Sequence, residues 1–100
     1  MAIATLDLDK VSEISRGAAT QMYGADAVNR VLTTATQDSD GNDALRVIIV
    51  LTEKGARRIE GKRVIDTMIE IQEQLRQAGE ERYPIIGYAT EKELRELADT

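Results

Sequence analysis

Apolar positions recur along this chain with two different periods. Between residues 9 and 23, Val11, Ile14, Ala18 and Met22 follow one another at helical spacing, which makes one apolar stripe. Asp9 stands where an N-cap is expected, and Gly24 where a left-handed residue would let the chain leave the helix. Gly17 interrupts the interior; it either weakens the helix by up to about 1 kcal/mol or marks a close packing contact.

From Ala27 to Thr36 the residue type changes to Val28, Val31, Thr33, Thr34 and Thr36, which predicts a strand, although Val28, Val31 and Leu32 also fit a helical turn. The cluster Asp38-Ser39-Asp40-Gly41-Asn42-Asp43 is dense in turn residues. A strand follows from Ala44 to Leu51, so the two runs make a hairpin. Val47 to Leu51 is apolar at consecutive positions, which places that strand in the centre of a sheet with both faces covered. Such cover requires helices on both faces, or a helix layer on one and a second subunit on the other.

Thr52 caps a short turn over residues 53–59. A longer helix is predicted over 62–78, where Val64, Met68, Ile71 and Leu75 form the stripe and Ile65, Ile69 and Gln72 widen it. Gly79 ends it. Tyr83 to Ala89 reads as a third strand, with Pro84 at its start or on an unpaired side. Thr90 and Glu93 match a capping box that opens a terminal helix to about Ala98, with Leu94 and Leu97 facing inward. The order α-β-β-(short α)-α-β-α predicts an α+β fold. A small three-stranded sheet, made of the hairpin and a C-terminal strand, packs with two main helices in a single domain over residues 1–100. Several small RNA-binding and scaffold folds share this order. The GxxG loop of KH domains and the CxxC of iron–sulfur scaffolds are both missing from the chain, and element order alone assigns no function.

Composition narrows the chemistry. The chain has no cysteine and no histidine, which removes disulfides, thiolate metal sites and the Ser-His-Asp and Cys-His catalytic sets. Acid–base chemistry would fall to Asp, Glu, Lys or Tyr with shifted pKa values, so no metal or cofactor is expected and an enzyme ranks low. With neither Phe nor Trp, the core must be aliphatic, aided by Tyr23, Tyr83 and Tyr88. The N-terminus lacks the basic start and apolar run of a signal peptide, and the longest apolar run, Val47 to Leu51, is far too short for a membrane helix. A cytoplasmic location without membrane association is the expectation.

Four local patterns invite a chemical reading. Asp38 to Asp43 offers oxygen donors at alternate positions, but Asp43 stands where a calcium loop needs glycine and Ile49 where it needs the bidentate glutamate. It reads as a turn. The stretch Gly55 to Arg63 lies between a strand and a helix, as a phosphate loop does. Its glycines are one residue too far apart, and Arg63 replaces the magnesium-binding hydroxyl.

The same stretch is the sharpest charge feature. Lys54, Arg57, Arg58, Lys62 and Arg63 against Glu53 and Glu60 give a net +3 within a chain of net charge −5. These five are the candidate binding residues for an anionic partner, set against the plainer reading of a solvated connection. Glu80, Glu81, Glu91, Glu93, Glu96 and Asp99 form an acidic C-terminal third, read as a solvated face. Tyr83 and Tyr88 fall on opposite strand faces and make no stacking platform.

The leading expectation is a non-enzymatic interaction or regulatory module, acting as a homodimer or as a subunit bound to another protein. Nucleic-acid or phospholigand binding through residues 54–63 is the runner-up, and a small enzyme using Asp, Glu or Tyr comes third.

Overall fold

The computed structural model describes residues 5–98. Seven elements follow in the expected order: α1 (Leu8–Tyr23), β1 (Val28–Gln37), β2 (Asp43–Leu51), α2 (Glu53–Arg57), α3 (Gly61–Gln77), β3 (Tyr83–Thr90) and α4 (Glu91–Ala98). The fold is α+β, with a mixed sheet in the order β1-β2-β3. β1 runs antiparallel to β2 across the hairpin, and β3 runs parallel to β2 after the α3 crossover. The ambiguous segment at 27–36 is a strand.

β2 is central, as its run of apolar residues predicts. Leu45, Val47, Ile49 and Leu51 point to one face and meet Val11, Ala18, Ala19 and Tyr23 of α1 and Ile71 and Leu75 of α3. Both long helices therefore lie on that face. Fully burying aliphatic side chains of this kind contributes roughly 1.5–3 kcal/mol each. The opposite face of β2 carries Ala44, Arg46, Ile48 and Val50, of which Ala44 and Val50 are buried.

A β-bulge at Asn29 reconciles β1 with this layering. The register shifts between Val28 and Arg30, so Val28 and Val31 both pack on the helix face although three residues apart. Arg30 turns to the other face.

Asp7, not Asp9, caps α1; its carboxylate accepts from the Lys10 N–H at 2.8 Å. Gly24 takes a φ of 97° as the residue after the helix. Gly17 is exposed, and a Cβ placed there would meet nothing within 4 Å. It is not a packing contact. Gly17→Ala is expected to raise stability by about 0.5–1 kcal/mol, read as a higher urea midpoint at unchanged slope.

Two expectations for helix faces are corrected. In α3, Ile65 and Ile69 do not widen the buried stripe; they are 58% and 57% exposed, and Thr67 is buried in their place. Its hydroxyl donates to the Arg63 carbonyl at 2.7 Å, so the side chain packs with its polar group satisfied. In α4, Leu94 is half-buried while Leu97 is 71% exposed, so only the first faces inward.

Candidate functional site

Three regions of the fold bear on function, apart from the acidic third and the Asp38 turn. The first is the stretch from α2 to the start of α3. Thr52 caps α2, accepting from the Gly55 N–H at 3.1 Å and donating to the Asp26 carbonyl at 2.7 Å. Arg58 then clamps the α1–β1 turn: its guanidinium makes two hydrogen bonds to the Asp26 carboxylate, at 2.7 and 3.0 Å, and one to the Tyr23 carbonyl at 3.0 Å. These hydrogen bonds hold the Asp26 carboxyl below its ordinary pKa. Arg63 lies over the Tyr23 ring, 5.9 Å from its centroid.

Two of the five candidate basic residues are thus occupied within the fold. Lys54, Arg57 and Lys62 are exposed and form no ion pair among the described residues. The five do not converge: Arg57 lines the cleft at the strand ends described below, and the other four do not. The N-terminus of α3 has no side-chain cap and no acidic residue in its first turn.

The two glycines of the stretch do different jobs. Gly55 is buried against the Ala27 carbonyl, so closely that a Cβ would overlap that oxygen, whereas Gly61 has open space around it. The first glycine sets α2 down on the α1–β1 turn. It cradles no phosphate.

The second region is a cleft of about 480 Å³ at the carboxyl ends of the parallel strands β2 and β3. Crevices at such strand ends are where open α/β sheets tend to bind ligands. Arg57, Lys92 and Arg95 line it, together with Glu53 and Glu91. Of its charged groups, Glu91 is engaged within the fold. Glu91 accepts from the Arg30 Nε at 2.7 Å and from Asn29 at 3.1 Å, and the Arg30 hydrogen bonds keep its pKa below the ordinary value. Thr90 and Glu93 form the expected capping box, with the Thr90 N–H donating to Glu93 and the Glu93 N–H to Thr90. Sequence reasoning did not single out Lys92 and Arg95 as cleft residues; the available signal was the repeated strand-Thr-Glu ending at Thr52 and Thr90.

The third region is the sheet face opposite the helices. By strand alternation it carries Leu32 and Thr34 of β1, Arg46, Ile48 and Val50 of β2, and Ile85, Gly87 and Ala89 of β3. Arg30 and Glu91 meet across its Val50 end, which brings the start of α4 over that corner. Leu32, Ile48 and Ile85 remain half-buried, with Arg46 as the exposed charge among them.

The acidic third is not uniformly a solvated face. Glu80 is buried, with 4% of its surface exposed. Its carboxylate accepts from the Leu6 N–H at 3.0 Å, from the Arg82 N–H at 2.8 Å and from the Arg82 guanidinium at 2.9 and 3.0 Å. Burial pushes its pKa up, but the Arg82 and backbone hydrogen bonds together outweigh it, and the carboxyl sits below its ordinary value. Glu81, Glu93 and Glu96 are exposed, and Asp99 lies outside the described residues.

The Asp38 cluster is a turn. Its carboxylate accepts from the Asp40 and Asn42 N–H groups at 2.9 Å each, and Gly41 adopts a φ of 83°. Tyr88 packs edge-on to Tyr23, with ring centroids 6.0 Å apart, inside the helix-side core. No group of three or more Asp and Glu residues that could hold a metal ion occurs among the described residues. No described helix is long and apolar enough to cross a membrane. Compared with known proteins, the chain matches no family model and no curated relative.

Proposed function

We propose that this protein is an interaction module that acts through association with a second copy or as a subunit of a protein complex. The observation that carries the reading is the one-sided helix layer. Among the described residues, α1 and α3 cover one face of the sheet, while Leu32, Ile48 and Ile85 stand on the other, where only the start of α4 reaches one corner. Contiguous apolar surface of this kind favours protein contact over solvent. The engagement of Asp26, Glu80 and Glu91 in ion pairs adds support, since these carboxylates hold elements together.

Native mass spectrometry of the protein isolated gently from its own host tests the proposal. A homodimer or a defined complex with another protein is the expected result. A bare monomer at every concentration, with nothing co-purifying, would overturn it.

A second reading has its own support in the uncapped N-terminus of α3 and the unpaired Lys54, Arg57 and Lys62. On that reading the module binds a phosphate-bearing partner, and bound nucleic acid would dissociate as salt rises. Reversing the charge of Arg57 and Lys62 is then expected to abolish binding, and undiminished binding would remove the reading. Arg58 is unsuited to this test, because its loss breaks the clamp on Asp26.

A further inference from the structure

We infer that two copies of this chain pair through the free edge of β3. The strands would run antiparallel about a two-fold axis near Ile86 and Gly87, with α3 packed against α3 alongside. This rests on the interaction reading and assigns the contact between copies to a surface other than the open sheet face.

The argument begins with the two sheet edges. Among the described residues, β1 and β3 each pair with β2 on one side only, leaving backbone N–H and C=O groups unpaired on the other. β1 is defended: the bulge at Asn29 breaks its regularity and Arg30 adds a charge. β3 is not. From Tyr83 to Thr90 it carries no charged side chain, and Pro84 at its second position is the sole residue lacking an N–H. Natural sheets usually guard a long apolar edge with Lys, bulges or cover, so an unguarded one is suited to pairing.

The side of α3 beside this edge carries two exposed isoleucines. Ile65, Ile69, Gln72 and Arg76 share one side of α3 by helical spacing. Gln72 donates to the Tyr83 hydroxyl at 3.2 Å, which fixes that side of α3 next to the start of β3. From Tyr83 to the middle of β3 is about 12 Å. The same distance back along α3 from Gln72 is roughly eight residues, a span that contains both isoleucines. The strand midpoint therefore lies nearly level with Val64 and Ile65, with Ile69 offset toward Tyr83. One two-fold axis can serve both, as a self-complementary interface requires.

Charge fits the same axis. Antiparallel packing of α3 about the level of Val64 and Ile65 brings Lys62 of one copy toward Asp66 of the other. Neither Lys62 nor Asp66 forms an ion pair within the described residues, so the contact would join two charges left without a partner in one copy. The contact strip is roughly 26 Å long and 20 Å deep, about 500 Å² in footprint. This is on the small side of the ~800 Å² per partner of a standard interface, which suits a reversible dimer rather than an obligate one. Pairing would join the two sheets into one of six strands, with all four long helices on the same face.

The absence of cysteine makes the test clean. Ile65→Cys and Gly87→Cys each place one thiol near the proposed axis, and Gly17→Cys places one on α1, away from it. Under mild oxidation in dilute solution, the first two are expected to give covalent dimers and the third to remain monomeric. In sedimentation velocity, the unmodified chain should dimerise reversibly with rising concentration. The double substitution Ile65→Lys with Ile69→Lys, at exposed positions that the fold does not need, should raise the dissociation constant at least about tenfold.

A chain monomeric at all concentrations would overturn the inference. So would a dimer weakened by Ile48→Lys on the opposite sheet face but untouched by the α3 double substitution. In that second case, association itself stands and the edge is wrong. A chain that is monomeric and also co-purifies with no protein would remove both the inference and the function it rests on.

Discussion

Replacing Glu80 by alanine is expected to destabilise the protein by about 3–5 kcal/mol, the range for breaking a buried ion pair from one side. The Glu80 side chain is fully buried, and the Arg82 side chain is 12% exposed. Removing the carboxylate leaves that guanidinium and the Leu6 N–H without their acceptor, although Arg82 also donates to the Leu6 carbonyl at 2.8 Å. Small domains have about 5–15 kcal/mol in total, so the loss would be a large fraction of stability. Urea denaturation followed by circular dichroism reads it directly. Glu73→Ala is the comparison: its pair with Arg76 is on the surface, and no measurable change is expected.

The same group predicts a pH dependence with a definite sign. The folded pKa of Glu80 lies below the unfolded value, which is near 4.3 for a free glutamate. Its contribution is therefore complete above that unfolded value and is lost as pH falls through the folded one. The stability gap between the parent chain and Glu80→Ala should be constant around neutrality and narrow in strongly acidic solution. A gap unchanged at low pH would show that the carboxylate charge is not what holds the N-terminal segment.

Gly55→Ala is the second large effect, with an expected loss of about 3 kcal/mol from overpacking against backbone. The added methyl would overlap the Ala27 carbonyl oxygen, and no flexible side chain is there to give way. That oxygen also accepts from the Thr52 N–H at 2.9 Å, so displacing it disturbs the start of α2 at the same time. The Arg58 clamp on Asp26 depends on the same seating. Gly61→Ala, only six residues on and in open space, is expected to gain up to about 0.5 kcal/mol. Thermal unfolding of the two variants side by side would separate seating from general helix propensity. Equal behaviour would mean that α2 is not fixed by this contact.

Local pattern made most of the fold legible. The consecutive apolar run Val47 to Leu51 identified the central strand, and Gly24 and Thr90 marked helix limits, because each of these signals acts over a few residues. The rest depends on contacts distant in sequence. Glu80 reads as one more surface acid until Leu6, at the other end of the chain, donates to it. Gly55 and Gly61 look alike in sequence, and the approach of Ala27 is what distinguishes them. Ile65 and Ile69 fit the apolar period of α3 but lie past the flank of the buried stripe, since Thr67 satisfies its own hydroxyl and takes the core position. The basic stretch was visible as a charge feature. That Arg58 and Arg63 are spent on Asp26 and Tyr23 could be read only from the folded chain.

The parallel pairing of β2 with β3 has a consequence for how the chain is made. The hairpin partner of β2 is its near neighbour in sequence, but everything from Thr52 to Arg82 separates it from β3. Contacts between distant segments close slowly, and synthesis delivers the N-terminal part first. Until β3 has left the ribosome, the most apolar strand in the protein is itself an open edge. The interval before the last strand arrives is thus the time when a newborn chain is most exposed to aggregation, and when a chaperone would have most to protect.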